Sequence, residues 1–183
     1  MLTVALLLAA TTPSAPVPKA AELVTNGSFE DGPDVETYVT ADPESTAIKG
    51  WTVTRGQIDY IATKHWGAAD GKRSLDLHGS PGIGGVKQTL ATKKGKTYTV
   101  TFQVAGNPGG NPTEKSVWVA AAGDKKKFTF DAKGHTHEKM GWEKMTWEFI
   151  ATADETELEL YSAETTDELA GPALDNVSVK EKK

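Results

Sequence analysis

From Leu23 onward, hydrophobic residues recur at every second position, not with the 3.6-residue period of a helix. The segment TYTVTFQV (97–104) is the plainest instance. Tyr98, Val100, Phe102 and Val104 share one face of it, and Thr97, Thr99, Thr101 and Gln103 share the other. A chain with this period must bury one face of an extended strand and leave the other to water or to a covering layer. Similar runs lie at 51–55, 58–62, 74–78, 85–90, 116–121, 127–131, 145–151, 157–162 and 174–180, separated by turn-forming clusters such as GSPGIGG, KKGK, GNPGGNP and AGDKK. Short strands in such numbers, with no helical stripe of three turns among them, predict an all-β fold, an antiparallel β-sandwich of the jelly-roll type. The stretch 31–48 has little alternation and reads as a long loop over one edge; the segment 106–112, GNPGGNP, reads as a second irregular loop.

The chain has 183 residues, which suits one domain. Its start, MLTVALLLAATTPSAPVPKAA, holds an apolar run from Leu2 to Ala10 that is far shorter than the about 20 residues needed to span a bilayer. That length suits the hydrophobic region of a signal peptide, although no Lys or Arg precedes it. Residues 1–21 are therefore expected to be a signal peptide followed by a Pro/Ala linker, and 22–183 a single folded domain. No second run of spanning length follows, so no membrane insertion is expected once the leader is removed, and the protein is expected to be secreted or held at the cell surface as a monomer.

Several chemistries are excluded or weakened by what the chain holds. The net charge of −5, with basic residues scattered, offers no stripe for nucleic-acid phosphates. There is no cysteine, so disulfides, thiol catalysis and Cys-based zinc sites are absent. His135 and His137 stand two apart, but zinc needs at least three protein ligands, and a solvated loop is the simpler reading. Gly95–Thr97 lacks the preceding glycine and the helix of a phosphate loop, and Ser80 lacks the strand–turn–helix setting of a hydrolase nucleophile. Glycoside hydrolysis needs only two carboxylates, a demand that 25 acidic residues never fail and that carries no information.

Parity singles out two groups of residues. In ALDNVSV (173–179), Asp175 falls on the same parity as Val177 and Val179, and an inward carboxylate requires a cation, a cluster of backbone donors or a place outside the sandwich end. Glu30 follows Phe29 near the other terminus. If the first and last strands are neighbours, Glu30 and Asp175 are positioned to share calcium, which takes carboxylate and carbonyl oxygens in flexible geometry; otherwise Asp175 caps a turn and Glu30 is exposed. The second group is aromatic and planar-polar. Trp118 lies opposite Val117 and Val119, Asp76 and His78 opposite Leu75 and Leu77, and Gln103 opposite Phe102 and Val104. On one sheet these would form a flat polar face suited to a sugar, with Asn107 added from the second loop. The alternative is that the 31–48 loop covers Trp118.

The ordered series NGSFE, GWTV, DYI, HWGAADGKRSLDLHG, GGVKQTL, GKTYTVTFQVAGNP, MGW, FIA, TELELYS and GPALDNVSV resembles the bacterial choice-of-anchor C family, related to the DUF642 proteins, from about Leu23 to Val179. The resemblance implies a galactose-binding-like jelly roll similar to carbohydrate-binding modules, with a structural calcium near the first and last motifs, which here points to Glu30 and Asp175. It implies an extracellular place and, from plant relatives, a link to cell-wall polysaccharide. The expectation is thus a secreted, non-catalytic domain that binds cell-wall or matrix polysaccharide through Trp118, Gln103, Asp76, His78 and Asn107, with calcium at Glu30 and Asp175. A structural or adhesive surface protein without glycan specificity is the alternative, and a glycoside hydrolase the weaker one.

Overall fold

A computed structural model describes residues 20–79, 82–165 and 169–183. The expected leader falls almost wholly on residues 1–19, outside the described residues. Twelve strands follow in order: β1 (Tyr38–Ala41), β2 (Thr52–Arg55), β3 (Ile58–Ala62), β4 (Arg73–Asp76), β5 (His78–Gly79), β6 (Gly82–Ala91), β7 (Thr97–Gly106), β8 (Glu114–Ala121), β9 (Asp124–Asp131), β10 (Glu143–Ile150), β11 (Glu155–Ser162) and β12 (Pro172–Glu181). One sheet has six strands in the order β1-β3-β4-β12-β7-β10; the other is a five-stranded path in the order β2-β6-β11-β8-β9, to which the two-residue β5 adds a short sixth strand on β6. Every pairing is antiparallel. The expected all-β sandwich is what forms, and no described helix is long and apolar enough to cross a membrane.

The core is the sum of the inward parities. Tyr98, Val100, Phe102 and Val104 of β7 face Val117 and Val119 of β8 and Leu158 and Leu160 of β11 in one buried cluster, each no more than 2% exposed. Burial of each such large side chain contributes about 1.5–3 kcal/mol, which is the main term holding the two sheets together. Trp51 closes one end, its ring 5.3 Å from that of Phe29 and its Nε1 donating to the Asn26 carbonyl at 2.9 Å.

Three features depart from simple alternation, and each positions a site. The stretch expected to be a loop from 31 to 48 contains β1, an edge strand on β3, and then bonds through Glu44 and Ser45 to Val53 of the edge strand β2, which β6 and β11 separate from Trp118 on β8. The run 74–78 breaks at Leu77, whose N–H donates to Pro172 on the first sheet while its carbonyl accepts from Gly84 on the second; the chain changes sheets at this residue. Finally, the register of β12 on β7 shifts between Asp175 and Ser178, with Asn176 at φ 50°. This bulge inserts one residue and reverses the parity. Asp175 consequently pairs with Gln103, on the face away from Phe102 and Val104, so the inward direction expected for it is wrong.

Candidate functional site

Asp175 is nonetheless fully buried, because the loop before β4 covers it. Its Oδ2 accepts the amides of Ala69 (2.8 Å) and Asp70 (2.9 Å), and its Oδ1 accepts that of Asn176 (2.6 Å). Glu30 grips the same turn from the other side, with Oε1 accepting the amides of Lys72 (2.7 Å) and Arg73 (2.8 Å). The termini do meet here: Leu23 N–H bonds to the Val179 carbonyl and Val177 N–H to that of Gly27. Gly71 sits between the two carboxylates at φ +64°, and a Cβ there would strike the Glu30 carboxylate. Of the three fates available to the Asp175 carboxylate, a cluster of backbone donors is present.

Burial still pushes the Asp175 carboxyl up to about 7, against the pull of those amides, and nearby Asp70 adds to the rise. Its negative charge is under-compensated, and Glu30 spends only one oxygen on the turn. In charge and oxygen chemistry the pair fits a hard cation. The side chains alone do not complete a cage, since no group of three or more Asp, Glu or His residues is disposed around a metal position among the described residues; main-chain carbonyls would have to supply the rest.

The five residues expected on one sugar face separate into different places. Trp118 does point away from the core, but it stands on β8 in the five-stranded sheet, whereas Asp76 and Gln103 stand on β4 and β7 of the other. His78 follows the crossover at Leu77, is 1% exposed, and pairs its Nε2 with Ser162 Oγ at 2.8 Å; it is a buried polar residue, not a surface group. Gln103 is half-buried between Asp175 and Lys144, on the outer face of the six-stranded sheet and remote in topology from Trp118. The error has one cause: alternation assigns a side of a strand, not the sheet to which the strand belongs.

Around Trp118 the outer face of the five-stranded sheet forms a platform. Tyr161 lies directly across from it on β11, and Lys127 across on β9. Both rings are half-buried, and each carries a cation: Lys125 Nζ stands 4.6 Å from the Trp118 ring centre and Arg55 Cζ 3.6 Å from that of Tyr161. Glu159 holds Arg55 in place through a fork of 3.0 and 2.9 Å and accepts Thr54 Oγ1 at 2.9 Å. A depression of about 600 Å³ lies at the β8–β9 turn and the start of β11, lined by Ala120, Lys125, Glu157 and Glu159 and not by the two rings themselves. Tyr161 was legible as an outward position of the run 157–162, opposite Leu158 and Leu160, but nothing local joined it to Trp118; Arg55 was not legible, since it shares the parity of the buried Trp51 and Val53 and leaves regular alternation at φ 67°.

A second concavity, about 510 Å³, opens on the outer face of the six-stranded sheet. Thr40, Asp59 and Asp76 form one row across β1, β3 and β4. Loops bring rings over this row: His65 lies 5.2 Å from Tyr38, 5.3 Å from Trp66 and 5.0 Å from His137 between ring centres. Trp66 anchors through Nε1 to Ser74 Oγ at 2.7 Å. Asp76 is 1% exposed; its Oδ1 accepts the amides of His78 and Gly171, each at 3.0 Å, and its Oδ2 accepts Asn107 Nδ2 at 2.8 Å. Burial drives its carboxyl up to about 7, with the facing Asp59 adding to the rise. Asp59 is raised by burial as well, in spite of the bond from Thr40. Asp76 and Asn107, two of the expected site residues, do meet here, joined by Tyr38, Asp59 and His65, which sequence reasoning had passed over, and by His137, which it had read as part of a solvated loop and which is half-buried against His65 and Trp66.

A family profile described as "Protein of unknown function (DUF642)" matches residues 22–180. The chain belongs to this family. Among curated relatives, Protein DUF642 L-GALACTONO-1,4-LACTONE-RESPONSIVE GENE 2 of Arabidopsis thaliana is 25% identical over 179 residues, covering 90% of this chain and 47% of the plant protein. Halomucin of Haloquadratum walsbyi is 38% identical over 91 residues, 46% of this chain and 1% of halomucin. The DUF642 domain thus spans about half the length of the plant relative and a small part of halomucin. Among solved structures, TmCBM61 in complex with β-1,4-galactotriose is similar at a TM-score of 0.52 and 14% identity, covering 89% of this chain and all of that one. An arabinose-bound α-L-arabinofuranosidase, MgGH51, gives 0.57 and 14% over 88% of this chain and 26% of that one. A family 35 carbohydrate binding module from Clostridium thermocellum gives 0.50 and 12%, over 79% and 98%. At these identities the likeness is one of fold: the DUF642 domain shares the sandwich of carbohydrate-binding modules.

Proposed function

We propose that this DUF642 domain is a non-catalytic carbohydrate-binding domain that holds a polysaccharide of a cell wall or extracellular matrix on the outer face of its five-stranded sheet. The observation that carries the proposal is the cross-strand pair Trp118–Tyr161, two half-buried rings framed by Arg55, Glu159 and Lys125. Sugar rings offer an apolar C–H face to stack on such rings and hydroxyls to pair with charged planar groups around them. The shared fold with carbohydrate-binding modules supports the same reading and, with it, a place outside the cell. Calcium held by Glu30 and Asp175 would supply charge compensation at the clasp and no chemistry at the platform. A hydrolase is not favoured: Asp59 does supply a second acid opposite Asp76, but Asp76 is buried with both oxygens engaged.

Retention on insoluble polysaccharides tests the platform. Trp118→Ala and Tyr161→Ala should each weaken retention about tenfold or more while leaving the unfolding transition intact, from the loss of one stacked ring. Undiminished retention in both variants would remove the platform from the function. Blank binding to every glycan, together with self-association or protein binding, would favour the adhesive alternative.

A further inference from the structure

We propose that the cleft on the six-stranded sheet is a second, separate binding site, and that its ligand is a sugar-sized molecule bearing a primary ammonium group, such as an amino sugar with a free amine. Asp59 and Asp76 face each other directly across β3 and β4. Like charges in that position repel, and the repulsion is relieved by a proton or by a cation. Among the described residues that line the cleft there is no Lys or Arg. Lys115 lies behind the wall, buried, with its Nζ on the Ala170 carbonyl at 2.6 Å. The platform on the other sheet is the opposite case, with Arg55, Lys87, Lys125 and Lys127 interleaved among its acids.

The rest of the cleft suits the same ligand. Tyr38 lines the cleft with a ring of the kind that attracts an ammonium group when water is excluded, and His65 packs against it at 5.2 Å between ring centres. Burial and the neighbouring His137 hold His65 below its ordinary range, so it remains a neutral ring at neutral pH. Tyr38, 50% exposed at the lip, offers a surface for the sugar ring. Asp59 is half-buried and accepts Thr40 Oγ1 on Oδ1, which leaves Oδ2 for one of the ammonium's three donors. Asp76 lies behind, its position fixed by Asn107, and an ammonium group in the cleft favours its charged form.

Titration calorimetry of the full chain at about pH 7, where a primary amine is largely charged, distinguishes the ligand by its charge. Glucosamine is expected to bind at least about tenfold tighter than N-acetylglucosamine or glucose, which share its ring and lack the cation. Asp59→Asn should abolish glucosamine binding and leave the melting temperature unchanged or raised, because it removes the like-charge pair and keeps the shape. A merely structural Asp59 would lower the melting temperature instead. Trp118→Ala should leave glucosamine binding intact, so this site can fail while the platform stands, and the reverse. Equal binding of the three sugars, no binding of glucosamine, or glucosamine binding that survives Asp59→Asn would overturn the proposal.

Discussion

Replacing Gly71 with alanine imposes two penalties on one turn. The residue sits at φ +64°, where a Cβ costs about 1–2 kcal/mol. The added carbon also strikes the Glu30 carboxylate, which must leave the amides of Lys72 and Arg73. Those two bonds are charge-assisted but exposed to water, so their loss costs about 1–2 kcal/mol together. Gly71→Ala should therefore destabilise the domain by about 2–4 kcal/mol, or about 4–16 °C in melting temperature for a domain of this size. Glu30→Ala should cost about 1–2 kcal/mol alone. The two losses overlap, because once Glu30 is gone the alanine has only its backbone strain left to exert. Urea denaturation of both single variants and the double variant should give a coupling of about 1–2 kcal/mol, with the double variant no worse than Gly71→Ala. Simple additivity would show that Glu30 does not hold this turn, and the clasp would be refuted.

If calcium sits at the clasp, the wild-type chain melts higher in calcium than in chelator, and Glu30→Gln or Asp175→Asn erases the difference; identical melting in both conditions dismisses the ion. In chelator, Asp76 and Asp175 make stability fall as pH rises. Their folded carboxyls lie at about 7 against about 3.9 unfolded, so the native state binds more protons across that window, with a slope of up to about 1.4 kcal/mol per pH unit for each group that levels off above about pH 7. A urea midpoint higher at about pH 8 than at about pH 5 would contradict this, and Asp175→Asn should flatten the slope by its share. Gly171→Ala should disturb the cleft from behind, since a Cβ would lie 2.6 Å from His78 Cδ2 and 2.7 Å from Asp76 Oδ1; loss of glucosamine binding with the platform's polysaccharide retention unchanged is the expected pattern.

Much of the fold could be read from residue order alone because strand parity is a local property. The faces of β7, β8 and β11 follow from their own side chains, and the outward position of Trp118 followed from Val117 and Val119. β1 escaped notice because an edge strand buries little: its four residues are exposed or only half-buried, which leaves no hydrophobic alternation to detect. Asp59 is the outward residue between Ile58 and Tyr60, yet its importance depends on facing Asp76, which is a matter of strand pairing. Asp175 was correctly suspected and wrongly aimed, since the bulge after it changes the count by one.

The division has a physical basis. Which residues are buried, where turns fall and that the chain makes a two-layer β fold are set by hydrophobic periodicity and turn chemistry, both local along the chain. Which outward residues become neighbours is set by strand order, by the crossover at Leu77 and by loops that return from 42 to 106 positions away, as Lys72 does onto Glu30 and Ala69 onto Asp175. Residue order alone therefore marked Glu30, Asp175 and Trp118 as residues to explain, and only the tertiary structure decided that the first two grip one turn and that the third stands on a different sheet from Asp76 and Gln103.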